Sequence, residues 1–176
     1  MRFNISSFLP AVLFASTVAA SGASISASLD VITSKALALN TTVASWNGDF
    51  FGVLPILSAS QALTDAINNG TAVAKASEPL SQEEAFSIVE PANTLVDDTK
   101  SVLNTLVAAK SKFDALVIGS PIVLQILKTD RADAKNLTTA VTEKVPVELQ
   151  SVAESITAPI DVAFADAIEK YSSAGF

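Results

Sequence analysis

Residues 25–50 read ISASLDVITSKALALNTTVASWNGDF, and the spacing of their apolar positions decides the fold. Ile25, Leu29, Ile32, Ala36, Leu39, Val43, Trp46 and Phe50 follow one another in alternating steps of four and three. Such steps keep side chains on one stripe of an α-helix, whereas a half-buried strand needs every second residue. The stretch predicts a first amphipathic helix, with Asn47-Gly48-Asp49 supplying turn residues near its end.

The same period continues downstream. Ile56, Leu63, Ile67 and Val73 mark a second helix ending near Ser77, in which Asn68-Asn69-Gly70 is expected to kink or split the rod because its helix propensity is low. Leu80 followed by Ser81-Gln82-Glu83-Glu84 has the spacing of a hydrophobic staple and capping box, so a helix starts there. This third helix is expected to be the longest, through Ala85, Ile88, Ala92, Leu95, Thr99, Val102, Leu106, Ala109 and Phe113, with a kink or restart at Pro91. Gly119-Ser120-Pro121 reads as stop, N-cap and first helical position of a fourth helix. That helix carries Ile122, Val123, Ile126, Leu127, Ala134, Leu137 and Val141 and closes at Val145-Pro146. The last stripe is Leu149, Val152, Ile156, Ile160, Ala163, Ala167 and Ile168, ending at Tyr171, with Pro159 kinking its middle. No segment alternates with strand period. The expectation is an all-α, antiparallel bundle of about five amphipathic helices, some of them Pro-kinked.

Upstream of the helices, Arg2 precedes an apolar run from Phe8 through Phe14, and Val18, Ala19 and Ala20 offer a small-residue cleavage site. Residues 1–20 are read as a secretory signal peptide and residues 21–176 as one helical domain. The leader's apolar run is broken by Pro10 and falls short of the roughly 20 residues of a membrane-spanning helix, so no transmembrane segment is expected. Ser172-Ser173-Ala174-Gly175-Phe176 carries no hydrophobic stretch, so no lipid-anchor signal is expected either. The expected location is extracellular.

Composition narrows the chemistry. The formal net charge is -7, and losing Arg2 with the leader makes it one unit more negative, a balance that repels nucleic acid. Hydrophobic residues make up 49% of the chain, yet it has no Cys and no His. A secreted domain without disulfides must rest on its packed core. Ser-His-Asp and Cys-His nucleophiles, and thiolate or imidazole metal sites, are excluded, so the chain is read as non-enzymatic, with no cofactor and no metal. Asp97-Asp98 does not change this reading, since adjacent residues on a helix point about 100° apart. Glu83 and Glu84 sit in a first turn, where negative charge suits the helix dipole.

The apolar faces remain as working surfaces. Trp46, Phe50 and Phe51 form the densest aromatic patch and lie at a helix end, where they either insert into a hydrophobic surface or cap the bundle, the cap being preferred. Leu95, Leu106, Phe113, Leu127 and Ile156 lie on the stripes and are candidates both for the core and for contact with an apolar surface or lipid. The small residues Ala36, Ala92, Ala109, Ala134, Ala163 and Ala167 imply either closely approaching helices, the default, or an acyl-chain cavity between them. Asn40-Thr41-Thr42, Asn69-Gly70-Thr71 and Asn136-Leu137-Thr138 match the N-glycosylation acceptor, with Asn69 favoured because a break is expected there.

With these landmarks in place, the chain resembles the fungal hydrophobic surface-binding protein A family, which includes antigenic cell-wall galactomannoproteins. The resemblance rests on a leader followed by a cysteine-free Ala/Val/Leu helical domain. It rests also on the runs Lys110-Ser111-Lys112-Phe113-Asp114, Pro121-Ile122-Val123-Leu124-Gln125-Ile126-Leu127, Lys144-Val145-Pro146-Val147-Glu148-Leu149 and Ala167-Ile168-Glu169-Lys170-Tyr171. It implies a secreted or cell-wall protein without catalytic residues that adsorbs to hydrophobic solids or lipids and helps recruit a secreted lipolytic enzyme. The alternatives it carries are a fatty-acid or sterol carrier with an internal apolar cavity, and an antigenic cell-wall mannoprotein contacting polysaccharide. Long cell-wall members add a Ser/Thr-rich stalk and a lipid-anchor tail, neither of which is read here, so a soluble form is expected.

Overall fold

In a computed structural model of the protein, the described residues form seven helical segments, five of them long. The structure describes residues 21–116 and 119–173; the leader assigned to residues 1–20 lies outside the described residues. The segments are α1 (Ser21–Ser45), α2 (Val53–Ala76), α3 (Gln82–Ser87), α4 (Val89–Ala108), α5 (Lys110–Asp114), α6 (Gly119–Thr142) and α7 (Val147–Ser172). Among the described residues there is no strand.

The first stripe behaves as its period dictates. Ile25, Leu29, Ile32, Ala36, Leu39 and Val43 are all buried on α1, and Trp46 is buried just beyond its end. Phe50 departs from that expectation. The Asp49 N–H donates to Asn47 Oδ1 at 3.0 Å and Gly48 takes φ +99°, so the chain turns and Phe50 leaves the stripe for the surface. The positive φ is what demands glycine there.

α2 corrects a second expectation, because it runs unbroken through Asn68-Asn69-Gly70. Packing overrides propensity at this point. A Cβ on Gly70 would lie 2.9 Å from Ile32 Cδ1 and 3.4 Å from Leu137 Cδ1, so the glycine is where side chains of α1 and α6 press against the α2 backbone.

The expected long third helix is divided twice. At its start the capping box forms as read: Ser81 Oγ accepts from the Glu84 N–H at 3.2 Å, and Glu84 Oε2 accepts from the Ser81 N–H at 2.9 Å. Glu84 Oε1 also accepts from the Gly22 N–H at 3.2 Å, tying the start of α1 to the start of α3. The chain restarts at Val89, which puts Pro91 in the first turn of α4, where its missing N–H is not needed. The second division falls at Ala109, and there Tyr171 Oη donates to the Leu106 carbonyl at 2.6 Å, locking the end of α7 to the α4–α5 joint. α6 opens at Gly119, two residues ahead of the expected first helical position. Pro159 lies inside α7 without ending it, and Val152, expected on the buried stripe of that helix, is exposed.

The long helices close into a ring in the order α1, α2, α6, α7, α4 and back to α1. Helices consecutive in the chain alternate in direction, as the short connections require. Ring neighbours do not all alternate, since five is odd. Gly22–Glu84 at one end and Asn40–Ser101 near the other show α1 running the same way as the α3–α4 segment. Thr64–Asp130 and Asn68–Asp133 show the same for α2 and α6. The buried stripes of all five face the common axis.

Candidate functional site

The axis of the ring is not filled. At the end where α1 stops, a void of about 160 Å³ lies between α1, α2, α4, α5 and α6, walled by Leu39, Ile56, Leu106, Phe113, Val123 and Leu127. One helical turn further along, Ala36, Leu63, Val102 and Ala134 surround a second void of about 70 Å³, closed on the α7 side by Ile160 and Phe164. A third void, also about 70 Å³, shares Ala92, Thr138, Val141 and Thr157 with the second and continues toward Ile88, Leu149 and Ile156. A row of apolar voids therefore follows the ring axis.

Alanine explains the middle of this row. Ala36 on α1 and Ala134 on α6 face the second void, and Ala92 on α4 faces both the second and the third, so three of the small residues noted in the sequence open the middle of the row. Ala163 and Ala167 lie instead on the groove between α4 and α7, which they allow to approach.

Both ends of the row carry exposed apolar rims. At the first void Phe50 and Leu54 form part of the wall while remaining 60% and 61% exposed, and Phe51 beside them is 76% exposed. The Phe50 and Phe51 rings meet edge to face with centroids 5.8 Å apart. At the third void Phe86 and Val152 line the wall and are exposed, and Val147, at the start of the same helix as Val152, is exposed too.

The structure divides the aromatic patch read from the sequence. Trp46 is the cap: its ring lies 4.5 Å from that of Phe113, its Nε1–H donates to the Asp49 carbonyl at 2.9 Å, and Lys112 Nζ donates to its carbonyl. Phe50 and Phe51 face outward. Of the other candidates, Leu106, Phe113 and Leu127 are buried on the first void, Leu95 is buried on the second, and half-buried Ile156 lines the third. Asn69 and Asn136 are exposed on α2 and α6, and Asn69 sits on a continuous helix, not in a break. Asn40 Nδ2 donates to Ser101 Oγ at 3.2 Å across the α1–α4 seam, with its Oδ1 buried and unpartnered among the described residues.

Two polar residues on the wall of the first void were not singled out in the sequence. Asp130 is 5% exposed, and Thr64 Oγ1 donates to its Oδ1 at 2.7 Å. Ser60, equally buried, lines the same void. Burial pushes the Asp130 carboxyl up to about 6, against the Thr64 hydrogen bond, which lowers it; Asp133 one turn on adds to the rise. A signal was available, since Asp130 falls between Leu127 and Ala134, and Ser60 between Ile56 and Leu63, at stripe spacing. The other perturbed carboxylates lie outside. Asp161 is held low by Arg131, which donates to it through Nε and Nη2 at 2.7 and 2.8 Å, and Asp114 is held low by Lys110 and Ser120. Among the described residues no helix is long and apolar enough to cross a membrane.

Known proteins share this architecture. The family described as hydrophobic surface binding protein A matches residues 22–143. Cell wall mannoprotein 1 of Aspergillus fumigatus is 31% identical over 143 residues, covering 81% of this chain and 49% of the relative. Its namesake in Aspergillus flavus is 29% identical over 140 residues, covering 80% and 50%. The chain thus spans about half the length of the curated relatives it matches. Among solved structures, AFMP4P in complex with palmitic acid superimposes with a TM-score of 0.82 at 26% identity, covering 86% of this chain and 99% of that one. Ligand binding domain 2 of the Penicillium marneffei MP1 protein, complexed with multiple arachidonic acids, gives 0.79 at 20% identity, covering 86% and 96%, a likeness of fold.

Proposed function

The chain belongs to the hydrophobic surface binding protein A family, and from that premise we propose that it is a non-enzymatic protein that takes a lipid chain along its ring axis and meets apolar phases through its exposed rims. The row of apolar voids, opening at Phe50 and Leu54, carries this reading. Apolar clefts with few polar groups are the usual form of lipid and small-molecule sites. The relative solved with palmitic acid supports the assignment, being the same fold over nearly all of its length.

The two activities meet at the rim, where Phe50 and Leu54 line the first void and stay exposed. A chain entering the first void buries methylenes at about 0.8 kcal/mol each, and the walls that receive it, Leu106, Phe113 and Leu127, are already desolvated. The voids are small, so a long chain must part the ring slightly. No disulfide crosses it. An extracellular or cell-wall location follows the names of the relatives, and a lipolytic enzyme and wall polysaccharide are the further partners that the family implies.

Native mass spectrometry of the protein secreted by its source tests the internal site. We expect adducts of acyl-chain mass that detergent extraction removes. A protein that stays empty when offered long-chain lipids in excess, and equally fails to adsorb to polyester beads, would refute the reading.

A further inference from the structure

The first void is apolar except at one place. Ser60 and Asp130 both line it, contributed by the parallel helices α2 and α6, with Ser60 one turn before Thr64, the residue paired with Asp130. Asp130 lies about 16 Å along α6 from Gly119 at 1.5 Å per residue, well inside the ring, whereas Phe50 and Leu54 mark the outer rim. Among the described residues Thr64 is the only hydrogen-bond partner of Asp130, and it occupies Oδ1 alone. Ser60 accepts from Thr64 Oγ1 through its backbone carbonyl, and its own hydroxyl makes no hydrogen bond among the described residues. A carboxylate oxygen and a hydroxyl with spare capacity, on two buried residues that line a greasy cavity, fit the few convergent polar groups that orient a ligand.

Resting on the reading that this interior takes a lipid chain, we propose that Asp130 and Ser60 form a head-group site selecting lipids whose head donates a hydrogen bond, such as long-chain alcohols, over ionised fatty acids. An ionised carboxylate accepts only, so a hydroxyl head satisfies Asp130 Oδ2 by donating to it and accepts from Ser60 Oγ in return. A fatty-acid carboxylate at the same place brings a second negative charge into a low-dielectric site, and two carboxylates there hold one proton between them. Fatty-acid binding therefore takes up a proton whenever Asp130 starts ionised, and alcohol binding does not.

The surroundings leave Asp130 as the group that sets this dependence. Its own helix presents Asp133, whose charge opposes ionisation. The remaining helices around the void turn neutral side chains to it: Thr64 and Ser60 from α2, Leu39 from α1, Leu106 from α4 and Phe113 from α5. Asp161 of α7 is engaged with Arg131 on the outer surface.

Displacement titrations on the delipidated protein test this, with a headless pyrenyl-alkane as reporter and dodecan-1-ol and dodecanoate as competitors from pH 8 to pH 6. We expect dodecan-1-ol to bind at least tenfold more tightly than dodecanoate at pH 8, with an affinity that changes by no more than about twofold down to pH 6. Dodecanoate should gain up to tenfold for each unit of falling pH in this range, one proton per ligand. In Asp130→Asn the dodecanoate slope should vanish, and Ser60→Ala should weaken the alcohol severalfold. Equal affinities at pH 8, or the same slope in wild type and Asp130→Asn, would overturn the head-group site while leaving the lipid reading intact. Should Asp130→Asn fail to fold, the wild-type slope and the Ser60→Ala comparison still decide. A reporter that does not bind would overturn the lipid reading and this one with it.

Discussion

Replacing Phe50, Phe51 and Leu54 together with serine should abolish most adsorption to hydrophobic solids while leaving the fold in place. The three side chains are 60%, 76% and 61% exposed, so each keeps about two-thirds of its apolar surface in water. Full burial of such a side chain is worth about 1.5–3 kcal/mol, which leaves roughly 1–2 kcal/mol each for an external surface to recover. Even the lower end, about 3 kcal/mol for the three, corresponds to roughly a hundredfold in affinity. The third of each side chain already buried is worth about 0.5–1 kcal/mol, so stability in urea should fall by no more than about 1 kcal/mol per substitution. Adsorption isotherms on polyester beads, read by depletion of protein from solution, give the half-saturation concentration directly. Serine at Phe86, Val147 and Val152 provides the matching experiment at the other end of the ring. Isotherms that superimpose on the wild type for both triple variants would refute the argument that exposed rims carry adsorption, and would point to wholesale opening of the bundle instead.

Other consequences are as specific. Trp46→Ala removes the cap stacked on Phe113 and should destabilise the protein by about 3–5 kcal/mol in urea denaturation, since the buried ring leaves a cavity behind. Val123→Phe places a ring into the first void and should weaken acyl-chain binding at least tenfold at little loss of stability, measured by displacement of a headless fluorescent alkane and by thermal melts. The Asp130 carboxyl is raised from 3.8 to about 6, so the folded state binds its proton more tightly and stability falls as pH rises from about 4 to about 6, by roughly 2–3 kcal/mol, then levels. Denaturation of Asp130→Asn across the same range should lack that descent, and an identical descent in both proteins would show that another group causes it. Ser81→Ala should cost about 1 kcal/mol through the lost cap of α3, read in the same denaturation assay.

Much of this was legible in the order of residues, for a physical reason that can be stated position by position. The stripe from Ile25 to Val43 and the Ser81–Glu84 box are local, depending on steps of three and four along one segment, and both formed as read. What failed depended on distant partners. Gly70 does not break α2 because Ile32 and Leu137, far away in sequence, use the room it leaves. The division at Ala109 coincides with Tyr171 reaching the Leu106 carbonyl, a contact that no window around Ala109 contains. Phe50 kept the helical spacing but lost the helix, since the Gly48 turn intervenes. Asp130 and Ser60 were overlooked because the stripes were read for their apolar members, although a polar residue at a stripe position is the local mark of a group the core must accommodate.

The number of helices in the ring decides between close packing and a cavity, and no single stripe encodes it. Helices packed 8–10 Å apart stand roughly 6–7 Å from a common centre in a square of four, but roughly 7–8.5 Å in a ring of five. With backbone Cα atoms at about 2.3 Å from each helix axis, the inward Cα atoms of five helices lie on the order of 5–6 Å from the centre. Leucine and phenylalanine reach across that distance, and alanine does not. Leu29, Ile32 and Phe164 narrow the second void, while Ala36, Ala92 and Ala134 in the same wall leave it open. Lengthening those alanines is the direct way to test this geometry. Ala134→Leu should fill the second void and interrupt the row, raising stability or leaving it unchanged while shortening the longest acyl chain that binds. In a four-helix arrangement the same substitution would overpack the core and destabilise it by about 1–3 kcal/mol.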